Sequence, residues 1–198
     1  MADIDTPVWF ITGCSTGFGR ELAEAVLAKG YRAVVTARKT SQLAEVVEGY
    51  EDQALALTLD VTDREQSEAA VRSAIDRFGR IDVLVNNAGI GYFGAIEESD
   101  EDEVRAMFEV NVFGLSRMMH LVLPGMRARR SGTIVNVSSI GGIRAFPAVG
   151  YYNGTKFAVE GISEALSQEV APLGIKVLIV EPSGFRTDWA GRSANETK

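Results

Sequence analysis

Val8-Trp9-Phe10-Ile11, followed at once by Thr12-Gly13-Cys14-Ser15-Thr16-Gly17-Phe18-Gly19, is the stretch whose reading decides the fold. A short, continuously apolar run of this kind reads as a strand covered on both faces. The glycine turn then feeds a helix over about Phe18 to Lys29, closed by Gly30. Glycines permit positive φ and close backbone approach, while the free amides and positive dipole end of the helix favour a pyrophosphate. The spacing is Gly-x-x-x-Gly-x-Gly, not the Gly-x-Gly-x-x-Gly of the common dinucleotide fingerprint. Context therefore carries the reading more than the letters do, and a tight turn with no ligand competes with it on this segment alone. Cys14 reads as a small loop filler rather than a redox thiol.

Outward from that turn the cycle repeats. Ala33–Thr36, Leu55–Leu59, Val83–Val85, Thr133–Val137 and Lys176–Val180 are short, rich in β-branched residues and continuously apolar, as buried strands are. Thr62-Asp63-Arg64-Glu65 fits a capping box ahead of the apolar positions Ala70, Val71, Ala74 and Ile75, with Gly79 ending that helix. A longer helix is expected from about Asp100 to Arg129, bent near Pro124, and a last one from about Tyr151 to Val170. Alternation of strand and helix forces right-handed crossovers, so the fold class is α/β: a doubly wound, Rossmann-type parallel sheet with helices on both faces. No linker, low-complexity tract or repeat divides the chain, and residues 1–198 read as one domain.

The totals narrow the function. Twenty Lys and Arg against 27 Asp and Glu give a net charge of −7, which repels nucleic acid and anionic membranes at long range. Hydrophobic residues are 46% and charged residues 24%, the balance of an ordinary globular domain. A single cysteine allows no intrachain disulfide, and the amino terminus has neither a basic leader nor an apolar run of membrane-spanning length. These features suit the cytoplasm. No His/Cys/Asp cluster has metal-ligand spacing, and His120 within the long helix reads as a packed or surface residue.

Tyr152 and Lys156 stand four apart at the expected start of the last helix, on one face. Bringing a phenol from its ordinary value near 10 to about 7 takes roughly 4 kcal/mol of phenolate stabilisation, the kind of effect a nearby ammonium in a partly dry site supplies. Spacing alone also fits a packed ring beside a solvated amine. Several motifs in order shift the balance: Thr12–Gly19, Asn86-Asn87-Ala88-Gly89, Asn111 in Asn111-Val112-Phe113-Gly114, Ser139, and Tyr152-x-x-x-Lys156. Together they resemble the short-chain dehydrogenase/reductase family over essentially the whole chain, leaning toward its 17β-hydroxysteroid dehydrogenase-like branch.

The resemblance implies an oxidoreductase in which Tyr152 is the acid/base, Ser139 holds the substrate oxygen, Lys156 binds the nicotinamide ribose and lowers the Tyr152 pKa, and Asn111 holds a water linking Lys156 to solvent. It also implies cofactor contacts at Gly13, Ser15, Thr16, Gly17, Phe18 and Gly19, at Asp60 and Val61, at Asn87, Ala88 and Gly89, and at Pro182 and Thr187. Ser138 and Tyr151 are the neighbouring alternatives. Strand register separates Ser139 from Ser138, and only Tyr152 has a lysine four residues later. Pro182-Ser183 stands where the family usually has Pro-Gly. A homo-oligomer is implied as well.

The end of the second strand speaks for NADP(H) over NAD(H). NAD-specific sites place an acid about 20 residues past the glycine turn. Ala37 occupies that position here and Arg38 follows, a planar fork suited to a 2′-phosphate, with Lys39 beside it. Ile90–Phe93, Gly141–Pro147 and the segment after Ser183 are expected to line the substrate pocket, and Ile143, Phe146, Phe185 and Trp189 suggest an apolar carbonyl or alcohol substrate. After Arg186-Thr187-Asp188-Trp189 the chain ends in a polar tail, before the final helix and strand that relatives of this kind possess. Two other readings compete: a non-enzymatic dinucleotide-binding redox sensor, whose kind tends to have lost the tyrosine or lysine, and a sugar-nucleotide epimerase or dehydratase, which resembles a different glycine spacing.

Overall fold

A computed structural model of the chain describes residues 6–184 and 194–196. Six strands form one parallel sheet in the order β3-β2-β1-β4-β6-β7: β1 Val8–Ile11, β2 Arg32–Ala37, β3 Ala54–Thr58, β4 Val83–Asn86, β6 Gly132–Val137 and β7 Ile175–Val180. Two short strands, β5 Gly91–Phe93 and β8 Ala194–Glu196, pair in parallel beside it. The helices are α1 Gly17–Ala28, α2 Ala44–Val47, α3 Arg64–Phe78, α4 Glu101–Phe108, α5 Leu115–Arg129 and α6 Gly150–Val170. The doubly wound sheet expected from the sequence is the one observed.

Strand pleating sorts the core into two layers. Val8, Phe10, Val34, Leu84 and Ile134 face α3, α5 and α6, while Ile11, Val35, Val83 and Val85 face α1 and α2. Cover on the second face is uneven: Leu178 and Val180 of β7 are exposed there. One polar seam crosses the interior. Asn86 and Asn136 stand in register on β4 and β6; Asn86 Nδ2 donates to Asn136 Oδ1 at 2.9 Å, and Asn136 Nδ2 donates to Ser163 Oγ of α6 at 2.8 Å. This seam fastens α6, the helix of Tyr152 and Lys156, to the middle of the sheet.

Three local expectations are corrected. The N-cap of α3 is Asp63, one residue later than Thr62-Asp63-Arg64-Glu65 implies, and no reciprocal box forms: its carboxylate accepts from the Gln66 backbone N–H at 3.0 Å and from Gln66 Nε2 at 2.9 Å. Thr62 is drawn away by Asp60, whose carboxylate accepts from both its backbone and its hydroxyl. Ile75 lies on the solvent side of α3, 44% exposed. The long helix is interrupted by a π-helical turn over Glu109–Gly114, between α4 and α5, well before Pro124.

Candidate functional site

Every strand of the sheet points its C-terminal end at one cleft of about 1020 Å³. At one end lies the glycine turn. Gly13 and Gly17 have φ of +72° and +59°, conformations that favour glycine. A Cβ on Gly19 would fall 2.2 Å from the Gly13 carbonyl oxygen and 2.4 Å from Asn87 Nδ2, so only hydrogen fits there. Asn87 holds the turn's shape: its Nδ2 donates to the carbonyls of Thr12 and Gly13, both at 2.9 Å. Thr12 Oγ1 accepts from the backbone N–H groups of Asn87 and Ala88, each at 3.0 Å. Cys14 is fully buried, and burial pushes its thiol up to about 12, as suits a loop filler.

Further along the floor, Ala37, Arg38, Asp60 and Val61 line the cleft at the ends of β2 and β3. Ala37 is buried; Arg38 is exposed and makes no hydrogen bond or ion pair among the described residues. The Arg117 guanidinium pins the Val61 carbonyl, and Asp60 is occupied with Thr62.

The far end holds Ser139, Tyr152 and Lys156. Ser139 closes β6 and caps the turn Ile140–Gly142, accepting from the Gly141 N–H at 3.0 Å. Its hydroxyl is hydrogen-bonded to the Tyr152 phenol. Lys156 is 6% exposed, donates from Nζ to the Val137 carbonyl at 2.8 Å, and lies 5.7 Å from the centre of the Tyr152 ring. Burial pushes the phenol up, with Ser139 pulling it down. Burial likewise holds the Lys156 ammonium down at about 8, with Glu160 opposing. For the phenol, desolvation outweighs what Ser139 returns.

Asn111 lies in the π turn, behind the cleft wall rather than on it. Its Nδ2 donates to the Ile90 carbonyl at 2.9 Å and to Thr155 Oγ1 at 3.1 Å, and its Oδ1 accepts from the Ile90 N–H at 2.9 Å. Gly89 separates it from Lys156: a Cβ there would lie 3.3 Å from Asn111 Oδ1 and 3.8 Å from Lys156 Nζ. The wider turn thereby brings a carboxamide to the loop after β4 and to the residue preceding Lys156.

Of the residues singled out in the sequence, those of the glycine turn other than Gly19, together with Arg38, Asp60, Val61, Asn87, Ala88, Gly89, Ser139, Tyr152, Lys156 and Pro182, share this one cleft. Gly19 packs behind the turn, and Thr187, Phe185 and Trp189 lie outside the described residues. Ser138 turns away from the phenol toward Gly142. Ile90, Gly91, Phe93, Gly141 and Phe146, expected to line a substrate pocket, form part of the cleft wall, whereas Tyr92 turns inward and its hydroxyl accepts from the Asp100 N–H at 3.0 Å. Ile143 is 59% exposed and off the wall. Missed were the tethering hydroxyl of Thr12, quoted only as the start of the glycine turn, Thr155 within the last helix, Asn136 in a run read for its apolar character, and the left-handed Ala148, φ +63°, whose carbonyl accepts from the Gly94 N–H at 2.8 Å. Among the described residues no group of His, Cys, Asp or Glu could hold a metal, and no helix is long and apolar enough to cross a membrane.

Residues 7–198 match the short chain dehydrogenase family. An oxidoreductase of Botryotinia fuckeliana is 45% identical over 189 residues, covering 95% of this chain and 69% of that protein. A 3-ketodihydrosphingosine reductase of Bacteroides thetaiotaomicron is 44% identical over 179 residues, covering 90% of this chain and 64% of the relative. The chain thus spans about two thirds of the length of these curated relatives. A solved short-chain dehydrogenase from Streptomyces avermitilis superposes with a TM-score of 0.92 at 48% identity, over 98% of this chain and 73% of that one. ElxO with NADP bound gives 0.88 at 33% identity over 92% of this chain and 75% of its own. A 3-ketoacyl-(acyl-carrier-protein) reductase from Brucella melitensis complexed with NADH gives 0.89 at 32%, over 93% and 78%. Parallel sheet, glycine cradle and family match agree, and the chain belongs to the short-chain dehydrogenase family.

Proposed function

We propose that this chain acts, as one α/β unit over residues 1–198, as an NADP(H)-dependent oxidoreductase that interconverts a carbonyl and a secondary alcohol on an apolar substrate. The observation that carries the reading is the meeting of the Tyr152 phenol, the Ser139 hydroxyl and the Lys156 ammonium at one end of a cleft whose other end is a glycine cradle. The cradle suits a dinucleotide: two glycines at positive φ, a third that admits no Cβ, and an unengaged guanidinium at the adenosine end. When bound, the nicotinamide supplies the hydride.

The chain's own residues supply everything else. In reduction, hydride arrival leaves negative charge on the substrate oxygen. Tyr152 donates its proton there, and Ser139 holds that oxygen beside the phenol. Lys156 binds the ribose and brings positive charge to a site that by itself holds the phenol protonated, the state a reductase needs before transfer. Asn111 clamps Ile90 and Thr155 on either side of Gly89, and a water held beside it returns the proton from solvent. Gly13, Ser15, Thr16, Gly17 and Phe18 face the pyrophosphate, Asp60 and Val61 the adenine, and Asn87, Ala88, Gly89 and Pro182 the nicotinamide half, a role that family resemblance extends to Thr187. Ala37 leaves room for a 2′-phosphate and Arg38 binds it. Ile90, Phe93, Phe146 and Val149 give the wall its apolar character, which agrees with the keto-lipid name of the Bacteroides relative and keeps the 17β-hydroxysteroid dehydrogenase-like branch within the proposal. A cytoplasmic homo-oligomer belongs to the same reading.

Tyr152→Phe tests it, since the change removes one hydroxyl and little volume. NADPH-dependent turnover of a ketone and aldehyde panel is expected to fall more than a hundredfold, with NADPH affinity within a few-fold of wild type. Activity above a hundredth of wild type rejects Tyr152 as the acid/base.

A further inference from the structure

Tyr152, Lys156 and Glu160 follow one another at four-residue intervals along α6, so their side chains share one face of the helix. The first two line the cleft, while Glu160 reaches beneath the turn Ile140–Gly142. A Cβ on Gly142 would lie 2.9 Å from Glu160 Oε1 and 2.6 Å from Ser138 Oγ. Both oxygens are buried and neither has a hydrogen-bond partner. Buried polar atoms without partners are uncommon, and here two converge on the spot that a glycine leaves free. Glu160 makes no ion pair among the described residues, so no arginine or other lysine absorbs its charge.

Among the described residues, the surroundings of the Lys156 ammonium contain no second acid. From β6 it meets the Val137 carbonyl at 2.8 Å, with the hydroxyls of Ser138 and Ser139 next in sequence. From the turn after β4 it meets Gly89, with the neutral Asn111 of the π turn behind. On its own helix it meets the Tyr152 ring. Glu160 is the carboxylate whose charge acts on it, favouring the ammonium against a burial that disfavours it.

We propose that Glu160 is a positioning residue for Lys156: from the nook beneath Gly142, beside the Ser138 hydroxyl, its carboxylate keeps the buried ammonium charged. The inference rests on the catalytic reading of Lys156 given above. It adds a fifth member to the machinery of Tyr152, Ser139, Lys156 and Asn111, one that touches neither substrate nor cofactor and acts only through Lys156. Gly142 is part of the device, because any side chain there would drive the carboxylate out.

The test is a pH titration of the Lys156 ε-carbon by NMR in full-length protein labelled with 13C-lysine, the resonance being identified by its loss in Lys156→Arg. Glu160→Gln is expected to move the midpoint down by about half a pH unit or more, and Glu160→Asp to restore part of the shift. Gly142→Ala, expected to act in the same direction, keeps the question open to test if the glutamine variant folds poorly. In turnover, the limb of the kcat/KM profile set by Lys156 is expected to move with the NMR midpoint. An unchanged or raised midpoint in both Glu160→Gln and Gly142→Ala overturns the proposal. Absence of turnover by the wild-type protein with every ketone and aldehyde tried would instead strike the oxidoreductase reading, and the NMR titration would still decide the role of Glu160.

Discussion

Lys156→Met is expected to stabilise the protein at neutral pH and to lose that advantage in alkali. The ammonium is 6% exposed, and burial holds it at about 8 against 10.5 in water. Below pH 8 both folded and unfolded chains carry the proton, and the folded state bears the whole desolvation penalty, about 3 kcal/mol at pH 7. Between pH 8 and 10.5 the unfolded chain binds more protons than the folded one, so this contribution to stability rises with pH across that window. By pH 9.5 the penalty has shrunk to about 1 kcal/mol. Methionine preserves most of the packing but removes the donor to the Val137 carbonyl, a loss of about 1 kcal/mol. The variant therefore gains about 2 kcal/mol at pH 7 and almost nothing at pH 9.5. Urea denaturation of both proteins at both pH values measures this, and the difference between the two chains cancels every titrating group not coupled to Lys156. A variant advantage that is the same at pH 7 and pH 9.5 would refute the buried, desolvated ammonium.

Three further outcomes are expected. Ala37→Asp combined with Arg38→Ser should swing the kcat/KM ratio of NADPH to NADH toward NADH by roughly 1.5–3 kcal/mol, the worth of a charge-assisted hydrogen bond; equal wild-type efficiencies with the two cofactors would reject the assignment. Gly19→Ala places a carbon 2.2 Å from the Gly13 carbonyl oxygen, so dinucleotide affinity by calorimetry should fall at least tenfold, and unchanged affinity would show that the turn is not the cradle. Asn136→Ala strands the Asn86 amide and the Ser163 hydroxyl in the core and should lower unfolding free energy by about 2–4 kcal/mol, which denaturation would show to be absent if the seam is incidental.

The sheet was legible because buried parallel strands advertise themselves as short apolar runs, and β1 lies where its sequence places it. The Tyr152–Lys156 pairing was legible for a similar reason: helical spacing fixes which side chains meet. What escaped depended on competition between neighbours. Thr62 and Asp63 are both good caps, and only the pull of Asp60 on Thr62 decides between them. The β5–β8 pair joins three residues to three others about a hundred positions away, beyond any local pattern. Proline announces itself in a helix, whereas the π turn at Glu109–Gly114 contains no breaker apart from its final glycine. The state of Tyr152 was out of reach of spacing altogether, because it is set by how much water burial removes.

That π turn has a geometric consequence. An extra residue within a helix advances everything after it by about 100° of rotation. α4 packs against β5 and α6 at the cleft, whereas α5 packs against α3, β4 and β6 in the core. A regular helix would present one stripe along its whole length and could satisfy only one of these settings. The turn works as a phase shifter, letting one continuous rod face the reaction chamber over its first half and the foundations over its second. Deleting a single residue between 109 and 114 would restore a regular helix and put the two halves out of step with their neighbours.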